Sequence, residues 1–202
     1  MTPSHRPLYP ERTRAAHRAW TRGLQTGSGG NLSARIPGEQ AMIVKSAGSS
    51  LGDCNAAGKG WIAVGFDGEP LEGESGSPTK EWRLHAALLR ALPETGAVVH
   101  THSVYSISWA QKHGEIPLST WQSRLKLKTP IPVLDVPAPV VPAESMAELL
   151  RLFEQNPALP GFVLRGHGLV ALGKTALEAE HTAELIEETA HITLLERLFD
   201  RL

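Results

Sequence analysis

The stretch GAVVHTHS, residues 96–103, closes an apolar run with two histidines, His100 and His102, separated only by Thr101. Side chains alternate across a strand, so both imidazoles project from one face with Cα atoms roughly 6.5–7 Å apart, close enough to share one metal ion. Neutral imidazole is a common metal ligand and also a tolerated polar core group. The pair alone is therefore equally compatible with two hydrogen-bonded core histidines. A third histidine, His167, stands between Gly166 and Gly168 directly after the apolar segment GFVL. Flanking glycines let backbone approach a ligand closely. Histidine ligands at three positions with a fourth left open are what a catalytic zinc needs. Glu81 falls in the first turn of the helix that leads into the HTH strand, where it can serve as a displaceable fourth ligand or as a general base. The helix dipole by itself also favours an acid there. His85, one turn on, reads as a packing residue or a support for the site, and His5, His17 and His113 read as surface residues.

A rival constellation lies in the last helix, where His181, Glu184, Glu188 and His191 share a stripe and Glu188-x-x-His191 has di-iron spacing. Bundles of that kind need two such motifs on separate helices, and the chain has one. The stripe reads instead as helix-face hydrogen bonding and ion pairing. Two glycine-rich loops, GSGGNLS and KSAGSSLG, lack the dinucleotide and Walker patterns. Successive glycines can still turn several backbone N–H groups toward an anion, with Ser46, Ser49 and Ser50 as added donors. Each loop taken singly is as readily a plain turn. Together with a metal they suggest a small phosphorylated substrate held at one end and activated at the other.

These groups need elements to hold them. The 202 residues suit a single domain, residues 1–202, with a loose arm over residues 1–10 ahead of a helix at about 11–24. Strands are expected at 31–36 and 41–44 around a Pro37-Gly38 turn, then a strand pair around Asp67-Gly68. Ser77 as N-cap and Pro78 at the first helical position predict a helix of about four turns. The HTH strand and a helix near 104–111 follow. Six prolines between 116 and 142 predict extended crossover segments. After these come a helix in AESMAELLRLFEQN, a strand-turn-strand in GFVLRGHGLVALG, and a long helix opened by a Thr175/Glu178 capping box. The order implies an α/β (α+β layered) domain with a central, mostly antiparallel β-sheet flanked by helices. Lys and Arg number 20 against 21 Asp and Glu, which gives no reason to expect a nucleic acid partner. No stretch has the length and apolarity of a signal peptide or a membrane span. One cysteine, Cys54, excludes an internal disulfide and a cysteine-cluster metal site, and suits a reducing compartment, so a cytoplasmic location is expected.

The ordered set TGSGGNLSAR, SAGSSLG, SPTKEWRLH, GAVVHTHS, RGHGLVALG and AELIEETA, from about Arg14 to Leu198, resembles the class II aldolase/adducin family. The resemblance implies Zn2+, or another divalent cation such as Mn2+ or Co2+, on His100, His102 and His167, with Glu81 as the catalytic acid/base. It implies phosphate binding by Gly30, Asn31, Gly48 and the Thr79–Lys80 segment, to which the loop reading adds Ser46 and Ser49. It also implies a homotetramer and a metal-bound enediolate as the shared chemistry, hence cleavage of a C–C bond in a sugar phosphate or sugar-acid phosphate. The Lys immediately before Glu81 and the GSSLG segment look closest to the 3-oxo-tetronate 4-phosphate decarboxylases. Ala47 stands where the family usually has a hydroxyl, and Trp121 where fuculose-phosphate aldolase has a proton-donating tyrosine; Tyr105 or water is the remaining donor. A dehydratase or epimerase on the same scaffold, and a non-catalytic adducin-like module, are the alternatives.

Overall fold

A computed structural model describes residues 3–200. Helix α1 spans Tyr9–Thr21, and strands β1 (Asn31–Arg35), β2 (Ala41–Lys45) and β3 (Trp61–Gly65) form an antiparallel meander. Helix α2 (Trp82–Ala91) leads into β4 (Ala97–Thr101), followed by α3 (Val104–Ala110), β5 (Glu115–Ile116), α4 (Trp121–Lys126) and β6 (Ile131–Leu134). The chain then runs through α5 (Met146–Gln155), β7 (Gly161–Leu164), β8 (Gly168–Gly173) and α6 (Ala176–Phe199). The strands form one sheet in the order β3-β2-β1-β4-β8-β7-β6-β5. Every pairing is antiparallel except β6 with β7, in agreement with the expected mostly antiparallel sheet.

Alternation along the strands builds a core on each face. Leu32, Ala34, Ile43, Val99 and Ala171 face the layer that holds α1, α3 and α6, where Ala15, Ala19, Ala179, Ala183 and Ile186 are buried. Met42, Val44, Val98, Phe162 and Val170 face the other layer, against Leu84, Leu88 and Leu89 of α2 and Leu149 and Phe153 of α5. β4 lies between β1 and β8, with His100 opposite Asn31 on one side and Val170 on the other. Strand parity therefore puts His100, Asn31 and Ser33 on the α2 face.

Five expectations are corrected. Part of the arm expected over residues 1–10 is ordered: Pro3–Leu8 is a 3-10 helix and α1 begins at Tyr9, whose fully buried ring anchors it, while His5, expected at the surface, is buried beside Glu39. Residues 1 and 2 lie outside the described residues. Helix α2 starts at Trp82 with Glu81 at its N-cap instead of Ser77, because Pro78 bridges to Ser46 and Thr79 N–H donates to Lys45 O, which holds 77–79 extended. The segment after Asp67-Gly68 makes only an isolated bridge, Val64 with Pro70, and no second strand. The proline-rich stretch carries α4, started by Thr120 and Ser123, whose side chains cap each other's backbone N–H groups.

Glu187 of α6 ties the C-terminal end of β4 to the helical layer. Its carboxylate accepts from Tyr105 N and Ser106 N, each at 2.8 Å, and from Ser106 Oγ at 2.7 Å, which satisfies the first N–H groups of α3 just beyond His102. Glu187→Ala is expected to lower stability by about 2–3 kcal/mol, seen as a lower denaturant midpoint at unchanged slope. An unchanged midpoint would contradict this account of how the strand end is held.

Candidate metal centre

His100 is fully buried in β4, His102 follows the strand end, and His167 sits in the β7–β8 turn at Arg165–His167, with Gly166 at φ +70°. Gly168 makes this turn possible. A Cβ there would lie 2.3 Å from Thr101 O and 2.9 Å from His100 Cε1, so only glycine lets β8 bring His167 this close. The three rings pack at centroid distances of 4.7–5.1 Å. One ligand atom from each lies within 4.8 Å of the others.

His100 Nδ1 donates to Leu169 O at 3.0 Å, which leaves the Nε2 lone pair aimed into the cluster. Burial, then the neighbouring His167 and His102, hold His100 well below the ordinary histidine range. Burial, then His167, lowers His102 as well. Glu81 completes the cluster, with Oε2 at 3.3 Å from His100 Nε2 and Oε1 at 3.6 Å from His167 Nε2. Among the described residues, His100 Nε2, His167 Nδ1 and Glu81 Oε1 are buried without a hydrogen-bond partner. Three imidazoles converging beside a buried carboxylate are a donor set suited to a divalent cation such as zinc.

The glycine loops adjoin this cluster. Gly27 and Ser28 of the first and Gly48 and Ser50 of the second line a cleft of about 360 Å³, floored in part by Trp20 and Gly52. Gly29, next along the first loop, abuts His102: a Cβ there would lie 2.9 Å from its Nδ1. Gly30 at φ +59° runs against His100 O and Gln25. The other residues expected at a phosphate are dispersed. Ser49 Oγ donates to Ser46 O at 2.7 Å, within its own loop. Asn31 turns its amide to Glu81. Thr79 and Lys80 line a separate cavity of about 590 Å³ with Asp67 and Arg83.

Sequence reasoning passed over Lys45 and Gln25. Lys45 Nζ is buried and donates to Ser28 O at 3.1 Å and Ser49 O at 2.6 Å, tying the loops together, and burial lowers its pKa. A lysine closing the apolar run AMIVK was the available signal. Gln25 Oε1 accepts from His102 N at 3.0 Å, and nothing in its sequence context marks it. Trp121 is 83% exposed, while Tyr105 stacks on His191 at 3.6 Å. The rival stripe on α6 is ion-paired, with Glu184 bound by Arg18 and Arg22.

Residues 11–194 match the family described as Class II Aldolase and Adducin N-terminal domain. A 3-oxo-tetronate 4-phosphate decarboxylase of Escherichia coli K12 is 33% identical over 93% of this chain and 86% of its own length. A methylthioribulose-1-phosphate dehydratase of Pectobacterium carotovorum is 29% identical, over 92% of this chain and 93% of its own. The crystal structure of an L-fuculose-1-phosphate aldolase from Thermus thermophilus superposes with a TM-score of 0.81 at 22% identity, covering 96% of this chain and 95% of that one, which shows a shared fold.

Burial drives His85 of α2 down to about 3, and His100 is likewise depressed. Both groups have folded-state values below the unfolded value of about 6.5, so the unfolded chain binds more protons and stability falls as pH drops below that value. Metal-free protein is expected to take up about one proton at His85 on unfolding at pH 5, with His100 adding uptake of the same sign, measured as the slope of unfolding free energy against pH. A flat profile between pH 7 and 5 would contradict the neutral buried imidazoles.

Proposed function

Because the chain belongs to the class II aldolase/adducin family, we propose that it is a divalent-metal-dependent lyase that cleaves a C–C bond of a small sugar phosphate or sugar-acid phosphate. The observation that carries this reading is the convergence of His100, His102 and His167 on one point with the Glu81 carboxylate beside it. Similarity to the decarboxylase supports decarboxylative cleavage, and Lys80 immediately before Glu81 supports the same subgroup.

His100, His102 and His167 would hold the cation, zinc in this proposal. Bound there, it would polarise a substrate carbonyl and stabilise negative charge on oxygen. Glu81 would move the proton: Oε2 is occupied by the Asn31 amide, and Oε1, which makes no hydrogen bond, is the oxygen that can take one up or deliver it. The cleft between Gly27–Ser28 and Gly48–Ser50, which Asp53 also lines, would take the phosphate on backbone N–H groups, with Lys45 tying the two loops together through Ser28 O and Ser49 O. Burial of His100 and Glu81 keeps water sparse around the reacting atoms, which strengthens each of these electrostatic contacts.

Similarity to the dehydratase favours a second reading, in which the same cation and carboxylate serve elimination and the proton moves at a different carbon. A non-catalytic adducin-like module has no use for the histidines and Glu81 together. The exposed apolar side chains Val104, Trp121, Leu125 and Phe199 support self-association, proposed as a homotetramer. Among the described residues no helix is long and apolar enough to cross a membrane, and a cytoplasmic location is part of the proposal.

The test is proton exchange from dihydroxyacetone phosphate in D2O, followed by NMR on zinc-loaded protein with and without chelator. Chelator-sensitive exchange is expected. His100→Ala should lose both zinc and exchange, whereas Glu81→Gln should keep zinc and lose roughly 10²–10⁴-fold in rate. No exchange from protein that holds zinc would overturn the sugar-phosphate lyase assignment.

A further inference from the structure

Asn31 is expected from the family resemblance to bind phosphate, yet both ends of its side-chain amide are engaged within the chain. Nδ2 donates to Glu81 Oε2 at 2.8 Å, and Oδ1 pairs with His85 Nε2. On the far edge of that imidazole, Ser33 Oγ lies 2.7 Å from Nδ1. All four side chains are buried, His85 and Ser33 completely.

Chemistry fixes the direction of this chain of bonds. An ionised carboxylate only accepts, so the amide must turn its NH2 toward Glu81 and leave Oδ1 as an acceptor. His85 then carries its proton on Nε2, and its Nδ1 lone pair accepts from the Ser33 hydroxyl. The opposite amide orientation would set Oδ1 against a carboxylate oxygen, two acceptors with no proton between them. Burial, which drives His85 down to about 3, keeps the ring neutral, as this pattern requires. Glu81 itself behaves unlike an ordinary acid at a helix N-cap. Its carboxylate accepts nothing from the N–H groups of its own helix and is drawn to Asn31 instead.

We propose that Ser33, His85 and Asn31 form a one-way hydrogen-bond relay that fixes the orientation of the Glu81 carboxylate, making His85 and Asn31 positioning residues for it. The relay rests on the reading of Glu81 as the acid/base of the proposed lyase. It arises from two matched spacings: Asn31 and Ser33 are two apart on β1, Glu81 and His85 are four apart at the start of α2, and the helix lies over the strand so that the pairs meet. Holding Oε2 leaves Oε1 as the oxygen that exchanges a proton. Without the relay the carboxylate is free to rotate away from the substrate.

The test combines kinetics with 15N NMR. In wild-type protein, metal-free and zinc-loaded alike, His85 should be the neutral Nε2–H tautomer and should remain so from about pH 8 to pH 5. Asn31→Ala and His85→Phe should lower kcat for proton exchange roughly 10- to 100-fold while KM and zinc stoichiometry stay at wild-type values. His85→Gln, which restores an N–H donor toward Asn31, should recover most of the loss. An Nδ1–H tautomer in the wild type would overturn the relay. So would a raised KM at unchanged kcat in Asn31→Ala, the signature of a phosphate ligand. Should His85→Phe fail to fold, the wild-type tautomer and Asn31→Ala still decide. Full turnover in Glu81→Gln would instead overturn the assignment of Glu81 as acid/base, with the tautomer still judging the relay's geometry.

Discussion

Glu81 Oε2 and His100 Nε2 face one another across 3.3 Å at a buried site, and His100 Nε2 has no hydrogen-bond partner. His100 spends its N–H on Leu169 O, and burial disfavours a second proton on the ring. A carboxylate and an imidazole lone pair set together out of water repel, and the hydration lost by His100 Nε2 and Glu81 Oε1 is not recovered as hydrogen bonds within the protein. A divalent cation relieves both costs, since each atom is then a ligand or lies beside positive charge. His102 and His167 each bring a ring nitrogen to the same point. The centre of the sheet is arranged around groups that the rest of the chain leaves unsatisfied.

The fold keeps those groups in place by rigid means. β4 has a strand on either side, so the His100 backbone is held by ladders to β1 and β8. Glu187 fixes the strand end beyond His102. Gly168 lets β8 close against Thr101, which brings the His167 turn over the cluster. On the opposite side α2 presents Glu81 at its N-cap, while the Ser46–Pro78 bridge and the Thr79–Lys45 bond tie the segment before it to β2 and the second glycine loop. The same β2 end carries Lys45, which joins the two loops. Glu81 and the cleft between the glycine loops are thus positioned from one strand end.

Much of the site was legible in the sequence because it obeys short-range rules. The HTH spacing lies on a strand of period two, and His167 stands between glycines whose need for close backbone approach is local. The sequence places Glu81 in the first turn of its helix, whereas it stands at the N-cap of α2. Ser77 and Pro78 carry good helix-start chemistry, and the bridge from Pro78 to Ser46, thirty-two positions earlier in the chain, overrides it. Helix α4 was missed because prolines on both sides masked a capping pair, Thr120 with Ser123, that carries no acid or amide. Lys45, Gln25 and the partnership of Asn31 with His85 depend on contacts between elements far apart in sequence. Each of those residues has an ordinary local setting.

The most direct test of the metal centre is anomalous scattering at the zinc edge from crystals of zinc-loaded protein. One strong peak bounded by the imidazole nitrogens of His100, His102 and His167, with Glu81 beside it, is the predicted result. A zinc peak seated elsewhere on the chain, or none at this cluster in protein that binds zinc in solution, would contradict it.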